Sequence, residues 1–246
     1  MAENNSLSRK MGFYEKYVKR GFDILCAIAA LTVFCWLYIA IAILVRVKLG
    51  SPVIFRQMRP GLIDPKTGNE HIFEMYKFRS MTDERDDRGE LLPDEQRLTR
   101  FGRWLRNTSM DELPEALNIL KGDMSVIGPR PQLVRDMVFM TREQRMRHTA
   151  RPGLSGRAQV MGRNAITWEE KFEWDLEYIR NVGFWKDVAI ILRTIEVVFI
   201  HSDGSKTEEG TDVTLDYGDV LLKRGAVSIQ EYEALQMKAK SMLTKR

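Results

Sequence analysis

An uninterrupted apolar run near the amino terminus constrains this chain more than any other feature. Residues 24–45, about 22 in number, carry no charge and lie between Asp23 and Arg46. At 1.5 Å rise per residue a helix of that length measures about 33 Å, enough to cross the hydrocarbon core of a bilayer. The run is longer than the apolar part of a cleaved signal peptide, and no small-residue cleavage site follows it. The sequence therefore predicts a membrane-inserted helix.

The charges that flank the run bear on its topology. Lys16, Lys19 and Arg20 precede it, and Arg46 and Lys48 follow it. Because lysine and arginine mark cytosolic ends, positive charge on both sides favours a re-entrant helix with both ends in the cytosol. A helix that turns back must be broken midway, yet the centre of the run holds neither proline nor glycine. We predict re-entry, with a straight spanning helix as the alternative.

Composition limits the other classes of function. The 246 residues suffice for one main domain with an appendage, and 38 Lys and Arg face 34 Asp and Glu. That excess is too small to indicate nucleic acid as a partner, but it suits an anionic lipid bilayer. The two cysteines, Cys26 and Cys35, lie inside the apolar run, so neither a disulfide framework nor a zinc site is expected.

Beyond the run, the pattern predicts an α/β, mainly helical fold with a small β element. Short strands are expected at residues 51–55 and 71–81, joined by the turn-rich stretch 59–68. Residues 151–156 are expected to form a turn. Helical spacing dominates elsewhere, including an amphipathic stretch at 187–200 that is too short to span a bilayer.

A basic amphipathic helix is expected between residues 97 and 106. Its arginines fall three apart on one side, and apolar side chains cluster on the other: Arg97, Arg100, Arg103 and Arg106 against Leu98, Phe101, Trp104 and Leu105. This pattern is typical of a helix in a lipid interface, and an ordinary surface helix with a solvated basic face shares it. The spacing leaves both interpretations open.

An acidic pair, Asp111 and Glu112, precedes Pro114 and a helical pattern that Gly122 closes. In one interpretation Asp111 caps the helix, and Pro114 falls in the first turn, where no backbone donor is needed. In the other, adjacent carboxylates supply a nucleophile and a metal ligand that act on a phosphate. The residues alone do not choose between them.

Several basic residues are candidates for substrate binding. Strand alternation puts Lys77 and Arg79 on one face, a pair of cations that suits a diphosphate. Two prolines stiffen the loop around Arg130, whose forked donors could bind a phosphate.

Another candidate group precedes and enters a later helix. Arg163 and Asn164 could bind a nucleotide or sugar, and Asp175 lies within the helix that follows. Each of these residues, taken singly, is also compatible with a structural role.

The ordered set of motifs resembles the bacterial sugar transferase family, the monotopic phosphoglycosyl transferases. The resemblance covers about residues 15–200 and is specific as a set, although each motif is weak alone. The motifs are Lys19-Arg20-Gly21-Phe22-Asp23, Arg59-Pro60-Gly61, Tyr76-Lys77-Phe78-Arg79-Ser80-Met81, Asp111-Glu112-Leu113-Pro114, Gly128-Pro129-Arg130-Pro131 and Arg151-Pro152-Gly153. The chain is similar to small members of the PglC type, but Cys35-Trp36 occupy the place of their mid-helix Ser-Pro.

The resemblance implies a two-step reaction at the cytosolic face of the bacterial inner membrane. Asp111 would attack the β-phosphate of a UDP-sugar, release UMP and carry the phosphosugar, which polyprenyl (undecaprenyl) phosphate then accepts. Glu112 would hold Mg²⁺ together with Asp111, or assist the acceptor. Arg130, with Lys77 or Arg79, would bind the phosphates.

The expected domain plan follows from the same features. It comprises an amphipathic segment at 1–22, a membrane helix at 23–49, the catalytic domain at 50–202, a polar linker at 203–219 and a helical tail at 220–246. Ser228 and Glu231 have the spacing of a capping box in the tail. The tail resembles the small helical pair called SHOCT and is a candidate site for a protein partner.

Two further expectations concern the sugar and the class of function. Residues 162–166 resemble members that use N-acetylated sugars, so a HexNAc or diacetamido sugar is the expected donor. The alternative function is a non-catalytic, membrane-anchored adaptor, which predicts that loss of Asp111 leaves function intact. A polytopic transferase would need more than the one apolar segment present.

Overall fold

The computed structural model describes residues 7, 9–162, 166–199 and 215–244. After a π-helical turn at Tyr14–Val18, the helices and strands in chain order are α1 (Lys19–Val33), α2 (Cys35–Lys48), β1 (Ile54–Ile63), β2 (Glu70–Phe78), α3 (Asp94–Arg97), α4 (Arg100–Asn107), α5 (Glu115–Lys121), β3 (Ser125–Ile127), α6 (Val134–Met137), α7 (Arg142–Arg145), β4 (Gly153–Ser155), α8 (Arg157–Gly162), α9 (Trp168–Arg180), α10 (Phe184–Phe199), α11 (Tyr217–Lys223) and α12 (Ile229–Thr244). The mainly helical fold with small β elements is confirmed.

The chain divides into two compact units. A smaller unit comprises Phe22–Gln57 and Glu74–Gly122. A larger unit comprises the described residues of Met1–Gly21, Met58–Phe73 and Asp123–Arg246. The candidate residues are therefore distributed over both units.

The apolar run forms two helices instead of one. α1 ends at Val33, α2 begins at Cys35, and the two are bent by 65°. In the described parts of the chain no single helix is long and apolar enough to cross a membrane, whereas this bent pair has the length and composition of a broken span or a re-entrant loop. The break that re-entry requires is therefore present and the straight spanning helix is wrong, while insertion in a membrane stays a prediction.

The break arises without proline or glycine. Phe34 leaves helical geometry, with φ −101° and ψ 17°. Just before it, the Thr32 hydroxyl donates to the carbonyl of Ile28 at 2.8 Å, with the Ala29 carbonyl at 3.3 Å. Such a bond weakens a helix slightly. The Thr194 hydroxyl makes the same bond to Ile190 O at 2.7 Å within the unbroken helix α10, so the threonine alone does not account for the break.

β1 and β2 form a two-stranded sheet in which β1 is longer than predicted. It continues through Arg59-Pro60-Gly61, which the sequence pattern assigns to a turn. The reason is that each strand of a two-stranded sheet is an edge strand, where a proline needs no partner for its missing N–H. The turn comprises only the residues between Asp64 and Asn69. A hydrogen bond from Asp64 N to Asn69 O, at 2.9 Å, closes this turn.

The smaller unit has its own apolar core, which packs α2 against β2 and α4. Its buried members are Ile41, Val45, Leu49, Phe78 and Leu105. One face of α4 packs into this core through Leu105. The basic face is exposed, as Arg103 shows, and Trp104 beside it is exposed as well.

The basic helix expected at 97–106 is two helices. Leu98 is extended, with ψ 93°, so α3 ends at Arg97. Thr99 then caps α4, its hydroxyl accepting from Gly102 N at 3.1 Å. A threonine cap competes with helix continuation, which explains why the periodic pattern misplaces the boundary.

In the larger unit β3 and β4 pair in parallel, Ser125 opposite Gly153 and Ile127 opposite Ser155. The turn expected at 151–156 is therefore wrong, because Gly153–Ser155 is a strand. Its partner is remote in the chain, and local composition carries no information about such a partner.

Both helices predicted in the carboxyl-terminal tail are present. α11 begins at Tyr217, within the segment predicted as linker, and residues 200–214 lie outside the described part. Tyr217, Val220 and Ala239 are buried in the main apolar core of the larger unit. The tail thus packs as part of that unit.

Candidate active site

The acidic pair lies in a 3-10 turn, Met110–Glu112, between α4 and α5. Pro114, not Asp111, is the residue that precedes α5, so the interpretation of Asp111 as the helix cap is wrong. Pro114 supplies a φ of −61° suited to a helix start. Gly122 closes α5 as predicted, with φ 92°.

The backbone directly before the pair is unusual. Ser109 has φ 54° and ψ 18°, and among the described residues it is the one non-glycine residue with a positive φ. Such left-handed residues are unfavourable and gather at functional turns. The turn therefore presents Asp111 and Glu112 from a backbone that the surrounding fold constrains.

Lys77 links the acidic residues of the turn and of α5. Its Nζ donates to Glu112 Oε1 at 2.6 Å and lies 3.2 Å from Glu115 Oε1. All three side chains are at least four-fifths buried, which strengthens the attraction between their charges. The cation predicted from strand alternation is thus next to the acidic pair.

The Asp111 carboxyl is buried, and its electrostatics suit a reactive group. Burial raises the pKa of Asp111 above its ordinary value, and the negative charge of Glu112 acts in the same direction. The positive charges of Lys77 and Arg106 oppose that shift and favour the carboxylate. A poorly solvated carboxylate with cations nearby has the properties of a nucleophile.

The donor set also fits Mg²⁺ in the way that enzymes of phosphate transfer bind it. Among the described residues no group of three or more His, Cys, Asp and Glu side chains is arranged to hold a metal. Mg²⁺, however, is usually bound by one or two carboxylates plus substrate phosphates and water. Asp111 and Glu112 supply two such carboxylates, and a cation there would offset the burial of Asp111.

Arg79, the other cation of that strand face, is engaged elsewhere. It is buried just beyond β2, donating from Nε to Met81 O at 2.8 Å and from Nη1 to Ser51 O at 2.5 Å. Its Nη2 pairs with Asp83. These contacts hold the loop after β2, and phosphate binding by Arg79 stays a prediction.

In the larger unit three sequence motifs come together around the Arg130 loop. Gly128 N donates to Ser155 O at 2.8 Å, and Gly153 N donates to Pro129 O at 3.0 Å. A Cβ on Gly153 would lie 2.0 Å from Gly128 N, so only glycine permits this approach.

Two arginines bind the rest of the loop backbone. Arg59 Nη1 donates to Pro131 O at 3.0 Å, and Arg147 Nη2 donates to Arg130 O at 2.7 Å. Pro129 and Pro131 are buried, whereas Arg130 is exposed. The loop thus presents one arginine side chain from a fixed backbone.

A second cation lies near Arg130. Burial lowers the pKa of Lys171, the charge of Arg130 lowers it further, and Asp136 opposes both. Arg130 and Lys171 are close enough for the charge of one to affect the pKa of the other. Two cations so placed suit a ligand with more than one negative charge.

The remaining predicted residues have different outcomes. Asp175 is buried and accepts from Arg147 Nε at 2.9 Å and Nη2 at 2.5 Å. Its contact in the structure is therefore another side chain of the protein, and substrate binding by Asp175 stays a prediction. Arg163 and Asn164 lie outside the described residues.

Sequence reasoning gave no site role to five residues around the two candidate groups. They are Glu115, Arg106, Arg59, Arg147 and Lys171. Glu115 had a signal, since it follows Glu112 by three residues in a helix-forming stretch. The other four reach their places through tertiary contacts that no local spacing reveals.

Comparison with known proteins gives a consistent result. Residues 14–201 match the family model described as Bacterial sugar transferase. An uncharacterized sugar transferase, EpsL of Bacillus subtilis (strain 168), is 46% identical over 194 residues, which are 79% of this chain and 93% of the relative.

Two longer relatives have names that state a reaction. The UDP-N-acetylgalactosamine-undecaprenyl-phosphate N-acetylgalactosaminephosphotransferase of Aeromonas hydrophila is 40% identical over 74% of this chain. The UDP-glucose:undecaprenyl-phosphate glucose-1-phosphate transferase of Escherichia coli (strain K12) is 35% identical over 76% of it. The matches span 44% and 41% of these relatives, less than half of their length.

Proposed function

The chain belongs to the bacterial sugar transferase family, and from this we propose that it moves a sugar-1-phosphate from a UDP-sugar to polyprenyl (undecaprenyl) phosphate. The observation that carries the proposal is the buried Asp111 carboxyl beside Glu112 and Lys77. The printed names of the Aeromonas and Escherichia relatives describe reactions of this type.

The proposed chemistry has two displacements at one phosphorus atom. A carboxylate oxygen of Asp111 attacks the β-phosphorus of the UDP-sugar, and the bond from that phosphorus to the bridging oxygen breaks. UMP leaves with the bridging oxygen, and the phosphosugar stays on Asp111. A phosphate oxygen of the polyprenyl phosphate then attacks the same phosphorus, which frees the Asp111 carboxylate.

Several residues of the two units have a defined task in this scheme. Lys77 and Arg106 favour the carboxylate form of Asp111 before attack. Arg130 binds substrate phosphate from its fixed loop, using the forked donors that suit phosphate oxygens. Asp111 and Glu112 would hold Mg²⁺, which when bound offsets negative charge on the diphosphate.

The proposed location is the cytosolic face of the bacterial inner membrane. Six apolar side chains of α1 and α2 are more than half exposed: Leu25, Val33, Trp36, Ile39, Ile43 and Val47. An exposed apolar surface of this kind favours lipid over water. The basic face and Trp104 of α4 fit an anionic interface.

The proposed donor is an N-acetylated UDP-sugar. Its support is the resemblance of residues 162–166 and the N-acetylgalactosamine named for the Aeromonas relative. Since the Escherichia relative is named for glucose, the test includes UDP-glucose and UDP-galactose beside the N-acetylated donors.

The test is UMP release by the purified protein with each donor, polyprenyl phosphate and Mg²⁺. Asp111→Asn should lower the rate by at least about 1,000-fold, because it removes the nucleophile. Asp87→Asn, at an exposed loop position, is the matched control and should retain full rate. Without acceptor, the wild type should release about one UMP per protein in a burst and gain the mass of the phosphosugar.

Two results would count against the proposal. If Asp111→Asn releases UMP at the wild-type rate, the residue is not the nucleophile. If the lipid-bound wild type releases none with any donor, the non-catalytic adaptor becomes the better account.

A further inference from the structure

We propose that the buried Arg147–Asp175 ion pair is the positioning element of the Arg130 loop, fixing where Arg130 meets substrate phosphate. This inference rests on the proposed function, in which Arg130 binds a phosphate. Arg147 and Asp175 act through the loop backbone and need no contact with substrate. Asp175, predicted as a binding residue, would thus serve binding indirectly.

The contacts form one connected chain. Asp175 of α9 fixes the Arg147 guanidinium through Nε and Nη2, at 2.9 and 2.5 Å. The same Nη2 donates to Arg130 O at 2.7 Å. Because Asp175 restrains the guanidinium, the carbonyl of Arg130 is restrained with it.

Three hydrogen bonds hold successive carbonyls of the loop. Both neighbours of Arg130 are prolines, which have no N–H to bind the surrounding backbone. The carbonyls of Pro129 and Pro131 are held by Gly153 N and Arg59 Nη1. Arg147 holds the carbonyl between them, on the very residue whose side chain is exposed.

Stability alone is a poor reason for this pair. Arg147 and Asp175 are at most 2% exposed, and ions so deeply buried give up much of their hydration. Within the described residues, Arg147 Nη1 is also buried without a hydrogen-bond partner. Apolar residues of similar volume would fill the space without that loss. A role in positioning the Arg130 loop explains why a buried ion pair, and not a pair of apolar side chains, occupies this place.

A fixed loop also keeps the positive charge of Arg130 near that of Lys171, where both can bind one anion. The charge of Arg130 acts to lower the pKa of Lys171, although the Asp136 carboxylate raises it by more. A mobile loop would let Arg130 move away, and a substrate phosphate would then have to draw it back. Fixing the backbone avoids that reorganisation.

The first measurement is backbone hydrogen exchange in residues 128–133 of the full-length protein. Arg147→Lys keeps the positive charge opposite Asp175 but removes the guanidinium nitrogen that donates to Arg130 O. Backbone exchange in residues 128–133 should therefore become about 10-fold faster or more. The double variant Arg147→Met/Asp175→Leu should quicken it equally without leaving a buried unpaired charge. Arg180→Lys, at an exposed ion pair with Glu143, is the control and should exchange as the wild type does.

The second measurement is a double-mutant cycle with Arg130→Ala, read out by UDP binding and by kcat/KM for UMP release. Arg147→Lys alone should lower kcat/KM by about 100-fold, the effect of a misplacement of roughly 1 Å. In the Arg130→Ala background it should change either readout by no more than about 2-fold.

The outcomes separate the two proposals. Unchanged exchange in Arg147→Lys, or an equal loss in both backgrounds, overturns the positioning role. A wild type that releases no UMP overturns the proposed function, while exchange and UDP binding still decide the role of Arg147.

Discussion

Lys77 Nζ lies 2.6 Å from Glu112 Oε1 and 3.2 Å from Glu115 Oε1. One ammonium group therefore pairs with two carboxylates, one in the 3-10 turn and one at the start of α5. This arrangement places a positive charge beside Asp111 without a direct ion pair to it. In the proposed mechanism, this leaves an Asp111 oxygen available to attack phosphorus while nearby cations stabilise its charge.

Replacing Lys77 by methionine should destabilise the protein. Glu112 and Glu115 would lose a buried cation, and breaking such a pair typically costs about 3 kcal/mol. Chemical denaturation in detergent measures the loss. Lys66→Met, at the exposed turn between β1 and β2, should change stability by less than about 0.5 kcal/mol. If adding Glu112→Gln to Lys77→Met restores nothing, the pair is not the cause.

Glu70 should make the stability of the larger unit depend on pH. Burial acts to raise its pKa, but hydrogen bonds and charge from His148 and Arg145 hold that pKa at about 2, against an ordinary 4.5. The depressed pKa stabilises the fold fully above pH 4.5, and the contribution falls away as pH drops towards 2. The shift is worth on the order of 3 kcal/mol at neutral pH.

The neighbouring histidine acts in the same direction. Burial lowers the pKa of His148, so acid favours the unfolded chain, where the imidazole can be protonated. Denaturant titrations at pH 7 and pH 3 should show Glu70→Gln much less stable than wild type at pH 7, with the difference reduced to roughly half or less at pH 3. Glu233→Gln, exposed on α12, should follow the wild type at both values. If the difference in unfolding free energy between Glu70→Gln and wild type is the same at both pH values, the low pKa of Glu70 is not the cause of the pH dependence.

The carboxyl-terminal tail should unfold together with the larger unit. Val220 is fully buried in the core that contains Phe139 and Phe172. Val220→Ala should therefore lower the free energy of unfolding by about 2 kcal/mol in a single transition. Met237→Ala, 64% exposed, should leave it unchanged. A separate early transition affecting only residues 215–244 would show that the tail is independent.

The bent helix pair should leave both of its ends in the cytosol. Single cysteines at Lys10 and Glu173, both exposed, would be placed in a background lacking Cys26 and Cys35. Neither position should react with an impermeant thiol reagent in intact cells, and both should react once the cells are opened. Labelling of one position alone in intact cells would establish a spanning segment instead.

The sequence by itself determined the family and several elements that rest on local pattern. The family prediction made from six short motifs is confirmed by the match over residues 14–201, and the transferase class with it. The closure of α5 at Gly122 and the two tail helices follow from residue order. These features depend on neighbours within a few turns of chain, which a sequence displays directly.

Only the tertiary structure decided which residues meet. The parallel pairing of β3 with β4 and the Arg59 and Arg147 bonds to the Arg130 loop join segments remote in the chain. The Lys77 bridge and the burial of Asp175 likewise depend on folding. Periodicity shows which face of a segment is apolar, but not which distant segment covers it. Hydrogen bonding and burial at long sequence separation therefore turned separate motifs into organised sites.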